Sequence, residues 1–318
     1  MPPNPAIRYV AHADIDRLRW DDAITRAANS LPYAYSWYLD IVAPHWDALV
    51  TDDYSAVMPL TWKYKWGIYY LYQPFFAQQL GIFALVPPTA VLVNAFLQAI
   101  PPRFRYCDFY LNYANQCPIQ APFAAQARCN YVLSLNDKYE QLFLSYRPNM
   151  RGHLKKAQRS PFQVTTNVST DEVVQLFRTA TGVKIDNLAP PHYDRLALLA
   201  RTCQQHNSAE TYGVYDENQT LVAAIFFIKT PRRLINLVST GTQRARTDNL
   251  TIKIIDHVVR QYAQSDMVLD FEGSMIEAIA TFYRGFGAQE THYWHITYDR
   301  MPLAWRWLKR WRKAMPAF

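Results

Sequence analysis

The chain has 318 residues, half of them apolar and 15% aromatic, which is enough for about two globular domains. Its formal net charge is +7, but six basic residues and no acidic ones lie from Arg300 onward, which leaves 27 basic against 26 acidic residues in the rest. This nearly neutral body argues against a broad nucleic-acid-binding face.

In the first half of the chain, the hydrophobic periodicity and the turn residues predict a mixture of strands and helices. Strands are expected at residues 7–10, 47–51, 56–62, 67–72, 81–85, 105–111 and 127–135. Helices are expected at residues 14–28, 35–42 and 89–100. The third of these helices follows Pro87 and Pro88, a start that suits a helix N-terminus.

The second half repeats this order. Helices are expected at residues 138–160, with a break at Pro148, and at 170–181, 192–206, 250–264 and 275–288. Strands are expected at residues 162–166, 211–216, 221–229, 234–239, 267–274 and 290–298. The order predicts an α/β (α+β) fold of two tandem domains, each with a mixed, mainly antiparallel central sheet flanked by helices. The expected divisions are 1–130, 131–300 and a basic tail, 301–318.

Cysteine and histidine spacing predicts no metal site. No CxxC pair and no nearby histidine accompany the four cysteines, Cys107, Cys117, Cys129 and Cys203. His292 and His295 would face opposite sides of the last strand. The N-terminus lacks an apolar signal-peptide core, and the longest apolar run, residues 82–100, is interrupted by prolines. We therefore expect a soluble cytoplasmic protein.

Three strings carry a family resemblance: PNMRGHLKKA at 148–157, DFEGS at 270–274 and FYRGFG at 282–287. The last resembles the end of the final helix in the GNAT superfamily of N-acyltransferases, which brings a Tyr into the acyl-thioester cleft. Together the strings resemble tandem-domain GNAT proteins, such as the Fem-type peptidoglycan-bridge aminoacyl transferases and related bacterial acetyltransferases. The resemblance covers residues 131–298, whereas residues 1–130 share only the architecture and are expected to form a degenerate domain.

The resemblance implies acyl-CoA as a donor, bound by a loop between a strand and a helix. Its expected contacts here are Gln243, Arg244, Arg246, Thr247 and Asn249. Arg246 and Asp248 stand where the family has small residues, so arginine side chains would contact phosphate in place of the backbone. The alternative is that Thr247, Asp248 or Asn249 only caps the next helix.

Tyr283 stands at the position that the superfamily uses for the general acid. Glu272 is our candidate for the general base or the amine-binding group, and it shares a strand face with Asp270 at the predicted strand end. The alternatives are structural. Tyr283 would pack between helix and sheet, and Glu272 would accept backbone hydrogen bonds around Gly273.

Arg151, Lys155 and Arg159 recur at helical spacing and form a basic stripe. The stripe would bind a phosphate, a carboxylate or the acceptor end of a tRNA, or it is a solvated face. Gln78 and Gln79 are the polar residues of an aromatic segment that is expected to line the same cleft. Residues 302–318 form a basic, Trp-containing amphipathic pattern that predicts a peripheral membrane contact or a helix docked on the protein body.

These features favour an N-acyltransferase that moves an acyl or aminoacyl group from a thioester or a tRNA ester to an amine-bearing substrate. The competing interpretation is a catalytically degenerate GNAT fold that serves as a binding or assembly module, because the glycines of the phosphate loop are missing. An open polar cleft at Glu272 and Tyr283 would favour the enzyme, and a filled cleft the module.

Overall fold

The computed structural model describes residues 6–273 and 275–301, so Ser274 and the predicted tail at 302–318 lie outside the described residues. The strands are β1 (Ile7–Val10), β2 (Trp46–Thr51), β3 (Ala56–Lys65), β4 (Ile68–Tyr72), β5 (Phe83–Ala84), β6 (Phe104–Leu111), β7 (Ala124–Ser134), β8 (Val164–Thr166), β9 (Ala209–Tyr215), β10 (Leu221–Lys229), β11 (Arg233–Gly241), β12 (Val268–Asp270) and β13 (Gln289–Asp299). The helices are α1 (Arg17–Arg26), α2 (Ser36–Val42), α3 (Ala90–Gln98), α4 (Tyr139–Ser145), α5 (Pro148–Gln158), α6 (Thr170–Leu176), α7 (Pro190–Gln205), α8 (Gln243–Thr247), α9 (Leu250–Tyr262) and α10 (Glu277–Gly285).

The predicted fold class is confirmed as mixed α/β, and the element order follows the sequence closely. The expected helix break occurs where α4 ends and Pro148 opens α5, because proline lacks an N–H and fits the first helical position. Two differences concern the site. Residues 243–249, expected as a loop, contain α8, and the strand expected at 267–274 ends at Asp270.

The described chain divides into two compact units. Unit 1 runs to Ala127 and resumes at Tyr293, and unit 2 is Arg128–His292. β13 therefore begins in unit 2 and ends in unit 1, whereas the sequence placed all of it in the second domain. In unit 1 the strand order is β1-β2-β3-β4-β6-β13, with β5 beside β3. All of these pairs are antiparallel except β4 with β6.

Unit 2 has the strand order β7-β12-β11-β10-β9-β8, antiparallel except for β11 with β12. β10 is buried along almost its whole length. Ile225 and Phe227 face a core that contains Ile254 and Val258 of α9, while α6 also packs on β10. Helices on both faces explain why β10 reads as a continuous apolar run. No helix within residues 6–273 and 275–301 combines the length and apolarity needed to cross a membrane.

The C-terminal end of α10 fits closely against α4 and α5. The Gly285 carbonyl accepts a hydrogen bond from the Arg147 N–H at 2.9 Å, just before α5 begins. Gly287 has φ +77°, and a Cβ there would lie 3.1 Å from the Ser145 carbonyl oxygen and 2.8 Å from its Cβ. Position 287 therefore requires glycine, both for its positive φ and for the close approach of the backbone to Ser145.

Replacing Gly287 with alanine should lower the free energy of unfolding by about 1–3 kcal/mol, because the new side chain is strained at positive φ and meets Ser145. Urea unfolding followed by circular dichroism measures the loss.

Gly152→Ala is the matched control, because Gly152 lies within α5 and a Cβ there has no neighbour within 4 Å. This variant should gain about 0.5–1 kcal/mol, as alanine is the better helix former. A neutral Gly287→Ala substitution would show that the α10 terminus adapts without strain.

Candidate active site

A buried carboxylate fixes the start of the site in unit 2. Asp270, the last residue of β12, is 2% exposed. Its Oδ2 accepts a hydrogen bond from Nη1 of Arg233 at 2.6 Å, and its Oδ1 accepts one from Nδ2 of Asn130 at 3.0 Å. Arg233 lies on β11 and Asn130 on β7, the two strands that flank β12. Both carboxylate oxygens of Asp270 are therefore paired within the protein, as a buried charge requires, and this gives Asp270 a structural role.

Glu272 lies just beyond this strand end, in a left-handed backbone conformation with φ +56°. Its N–H donates to Oδ1 of Asp270 at 2.9 Å. The predicted shared strand face of Asp270 and Glu272 is wrong, because the chain leaves the sheet at Asp270 and the alternation of a strand no longer applies. A non-glycine residue at positive φ is strained and is held by its surroundings, a condition concentrated at functional sites.

Tyr283 packs its ring against the sheet. Its ring stacks on Phe271 with centroids 4.8 Å apart and lies 5.9 Å from the ring of Tyr131. Burial raises the pKa of Tyr283, and the carboxylates of Glu272 and Asp270 raise it further. The structure thus brings Tyr283 and Glu272 into electrostatic range of each other.

A cavity of about 420 Å³ lies where α5, α8, α9 and α10 meet. It is lined by Asn149, Met150, His153, Ala245, Arg246, Asn249, Thr251, Ile252, Ala278, Thr281 and Phe282. Its volume is in the range of ordinary small-molecule sites. Two of the residues predicted for cofactor contact, Arg246 and Asn249, are among the lining residues.

The other predicted cofactor contacts have different environments. Nη1 of Arg244 donates to Oε1 of Glu217 at 2.7 Å, and Nε of Arg244 lies 3.8 Å from a carboxylate oxygen of Asp248. Gln243 accepts a bond from Nη1 of Arg246 at 3.3 Å. The Thr247 hydroxyl donates to the Gln243 carbonyl, and the Thr247 carbonyl accepts from Nζ of Lys156. The Lys156 bond joins α8 to α5, whereas the Arg244 bond joins α8 to Glu217 in the turn between β9 and β10.

Asn249 occupies the cap position of α9, again in the left-handed conformation at φ +55°. Its side chain makes no capping hydrogen bond to the first turn of α9. Asn249 therefore stands at the N-cap position, as the structural alternative expected, but does not cap the helix through its side chain. Asn249, Thr251 and Ile252 bring this first turn to the cavity. A helix N-terminus of this length carries a partial positive charge that favours anions.

Several lining residues were not predicted from the sequence. Asn149 and His153 are four residues apart on α5, and Ala278, Thr281 and Phe282 share one side of α10. Two features of the sequence could have indicated these residues: the four-residue spacing of Asn149 and His153 on a helix, and the position of Phe282 next to Tyr283. Neither Tyr283 nor Glu272 is among the described residues that line this cavity.

Two residues of the predicted basic stripe on α5 share a surface, and their role in binding stays a prediction. Arg151 and Lys155 line a second cavity of about 440 Å³, together with Phe143, Gly152, Leu154 and Gln158. Arg159 is exposed at the C-terminal cap of α5 and is not among the described lining residues.

Gln78 and Gln79 belong to unit 1, apart from the candidates in unit 2. Gln79 is buried, its Oε1 accepts from the Tyr113 N–H at 2.8 Å, and its Nε2 donates to Oε1 of Gln78. These bonds give both glutamines a structural role in their own unit.

The fold is similar to several solved structures, although no family model and no curated protein matches the sequence. FemX has a TM-score of 0.60 at 9% identity, over 88% of this chain and 96% of that one. The C-terminal domain of a lysylphosphatidylglycerol synthetase from Agrobacterium fabrum has a TM-score of 0.55 at 10% identity, over 89% and 91%.

A tandem GNAT protein from the clavulanic acid biosynthesis pathway has a TM-score of 0.52 at 12% identity, over 93% of this chain and 99% of that one. Identities this low establish the fold only. Because these neighbours are matched over nearly their whole length, the expected resemblance is confirmed at the level of structure, and the chain has a GNAT-like fold.

Proposed function

We propose that unit 2 is an N-acyltransferase that binds an acyl donor in the cavity between α5, α8, α9 and α10. One observation carries the proposal. The α8–α9 junction, where the resemblance implies donor phosphate contacts, and α10, which carries the implied general acid, line the same cavity. Arg246 supplies a cation at its wall, and the first turn of α9 adds its partial positive charge.

In the proposed reaction the amine nitrogen attacks the acyl carbonyl carbon. A C–N bond forms, and the bond from the acyl carbon to the thioester sulfur breaks. The Glu272 carboxylate accepts the proton that the amine loses, and the Tyr283 hydroxyl donates a proton to the departing sulfur. Tyrosine is protonated at neutral pH, so the proton is available when negative charge develops on the leaving group.

The non-catalytic alternative rests on the packing of the candidate acid. The ring of Tyr283 is stacked on Phe271. The neighbouring residue, Phe282, lines the proposed donor cavity, whereas Tyr283 is not among the lining residues. A binding module would use the cavity without the phenol hydroxyl. Binding and turnover therefore need separate tests.

Arg246→Ala should weaken the binding of acetyl-CoA, because it removes the cation at the cavity wall. At a hundredfold excess over its dissociation constant, a bound donor stabilises the protein by about 2.7 kcal/mol. Thermal shift and calorimetry with acetyl-CoA, longer acyl-CoAs and CoA measure this binding.

Arg244→Ala is the matched control, because Arg244 is two residues away on the same short helix and pairs with Glu217. It should retain most of the affinity. Absence of binding by every thioester would contradict the acyl-CoA proposal, and equal losses in both variants would contradict the assignment of the cavity.

Tyr283→Phe should lower kcat by about 10²–10⁴-fold while donor binding stays unchanged, because the substitution keeps the ring stack and removes only the hydroxyl. Steady-state acylation of an amine panel measures the effect, with calorimetry of the donor as the internal control. Unchanged turnover would assign Tyr283 to packing alone.

A second donor class, an aminoacyl-tRNA ester, is favoured by the cavity that Arg151 and Lys155 share on α5. If they contact phosphates, substituting both with alanine should weaken tRNA binding and reduce the slope of log affinity against log salt by roughly 1.5–2. Arg201→Ala is the control, because Arg201 is an exposed arginine on α7, away from α5, where it pairs with Asp171. An unchanged slope in the double variant would exclude this surface as a tRNA contact.

A further inference from the structure

Four side chains from two neighbouring strands converge in unit 2, away from the donor cavity. Cys129 and Tyr131 alternate on β7, and Glu290 and His292 alternate on β13, so each pair projects from one face of its strand. β7 and β13 are neighbours in the sheet. The fold thereby brings together a thiol, a carboxylate and an imidazole, although Cys129 and Glu290 are 161 residues apart along the chain.

Two of the three distances among Cys129, Glu290 and His292 match those between the ligands of a tetrahedral metal ion. Oε1 of Glu290 lies 3.4 Å from Sγ of Cys129 and 3.3 Å from Nε2 of His292. All three atoms lie within 4.8 Å of one another. A tetrahedral zinc ion, at about 2.3 Å from sulfur and 2.0–2.2 Å from nitrogen and oxygen, separates its ligand atoms by roughly 3.3–3.6 Å. The two shorter edges therefore have the required lengths.

A second layer of contacts orients the carboxylate. The Tyr131 hydroxyl donates to Oε2 of Glu290 at 2.9 Å, and Nη1 of Arg284 lies 3.9 Å from the same oxygen. Because Oε2 is occupied in this way, Oε1 is directed toward Cys129 and His292. Metal ligands are commonly held by such outer partners, which fix their orientation.

We propose that Cys129, Glu290 and His292 form a zinc site with three protein ligands. Zinc takes sulfur, nitrogen and oxygen ligands together, and this mixed set favours it over magnesium or calcium. Binding releases the thiol proton of Cys129 to solvent as the S–Zn bond forms. Glu290 and His292 are exposed, so the fourth position is open to water or to a small ligand. This site does not depend on the proposed acyl transfer.

The test uses the full-length, untagged, metal-free protein. Calorimetry with Zn²⁺ should give one equivalent of saturable binding, and Co²⁺ should produce a thiolate-to-metal charge-transfer band in the absorption spectrum of the wild-type protein. Cys129→Ser and His292→Gln should each weaken Zn²⁺ binding by more than about 100-fold. Tyr131→Phe, which keeps the ring but removes the hydrogen bond to Glu290, should weaken it by about 10–100-fold.

Cys117→Ser is the control for adventitious thiol binding, because Cys117 is also a free, partly exposed cysteine but lies in unit 1. It should leave the affinity unchanged, and circular dichroism establishes that each variant is folded. The proposal is overturned if the wild-type protein shows no saturable Zn²⁺ binding, if Co²⁺ gives no thiolate band, or if a folded Cys129→Ser variant binds as tightly as the wild type.

Discussion

The arrangement of unit 2 depends on the buried ion pair between Asp270 and Arg233. With Asn130, the pair joins three adjacent strands, β7, β12 and β11, through side chains as well as backbone. Loss of one member of such a pair leaves a buried charge uncompensated, at a cost of about 3–5 kcal/mol. The same carboxylate accepts the Glu272 N–H, so it also fixes where β12 ends and where the chain turns toward α10. The position of Glu272 follows from this contact, whereas Tyr283 is placed by its ring contacts with Phe271 and Tyr131.

α10 then distributes its residues among three environments. Phe286, just after its end, and Tyr283 form an aromatic stack with Phe271. Phe282 reaches the donor cavity, and Arg284 lies near Glu290. One short helix therefore carries the proposed acid, lines the proposed donor cavity and places Arg284 beside Glu290, one of the proposed metal ligands. Its C-terminal end is closely packed, because a Cβ at Gly285 would meet the Met150 side chain of α5 and a Cβ at Gly287 would meet Ser145 of α4.

The sequence predicted most of the fold, because the apolar periods, the prolines and the terminal FYRGFG string are local signals. Two of the predicted contacts, Arg246 and Asn249, line the cavity between α5, α8, α9 and α10, whereas Asn149 and His153 were not predicted because their place in it depends on how α5 packs against α8 and α9. The cluster of Cys129, Glu290 and His292 escaped prediction for a similar reason. Ligand spacing is informative only within one segment, whereas strand pairing between β7 and β13 creates this cluster.

The loss of glycine from the expected phosphate loop has a definite structural consequence. Within α8 the backbone N–H of Ala245 is bonded to the Thr242 hydroxyl, that of Arg246 to the Thr242 carbonyl, and that of Asp248 to the Arg244 carbonyl. These three N–H groups are therefore not available to an anion in the cavity. The Arg246 guanidinium is itself positioned by hydrogen bonds from Nη1 to Oε1 of Gln243 at 3.3 Å and from Nη2 to the Gly241 carbonyl at 3.1 Å. Apolar and polar side chains of α5 and α10 complete the wall of the cavity.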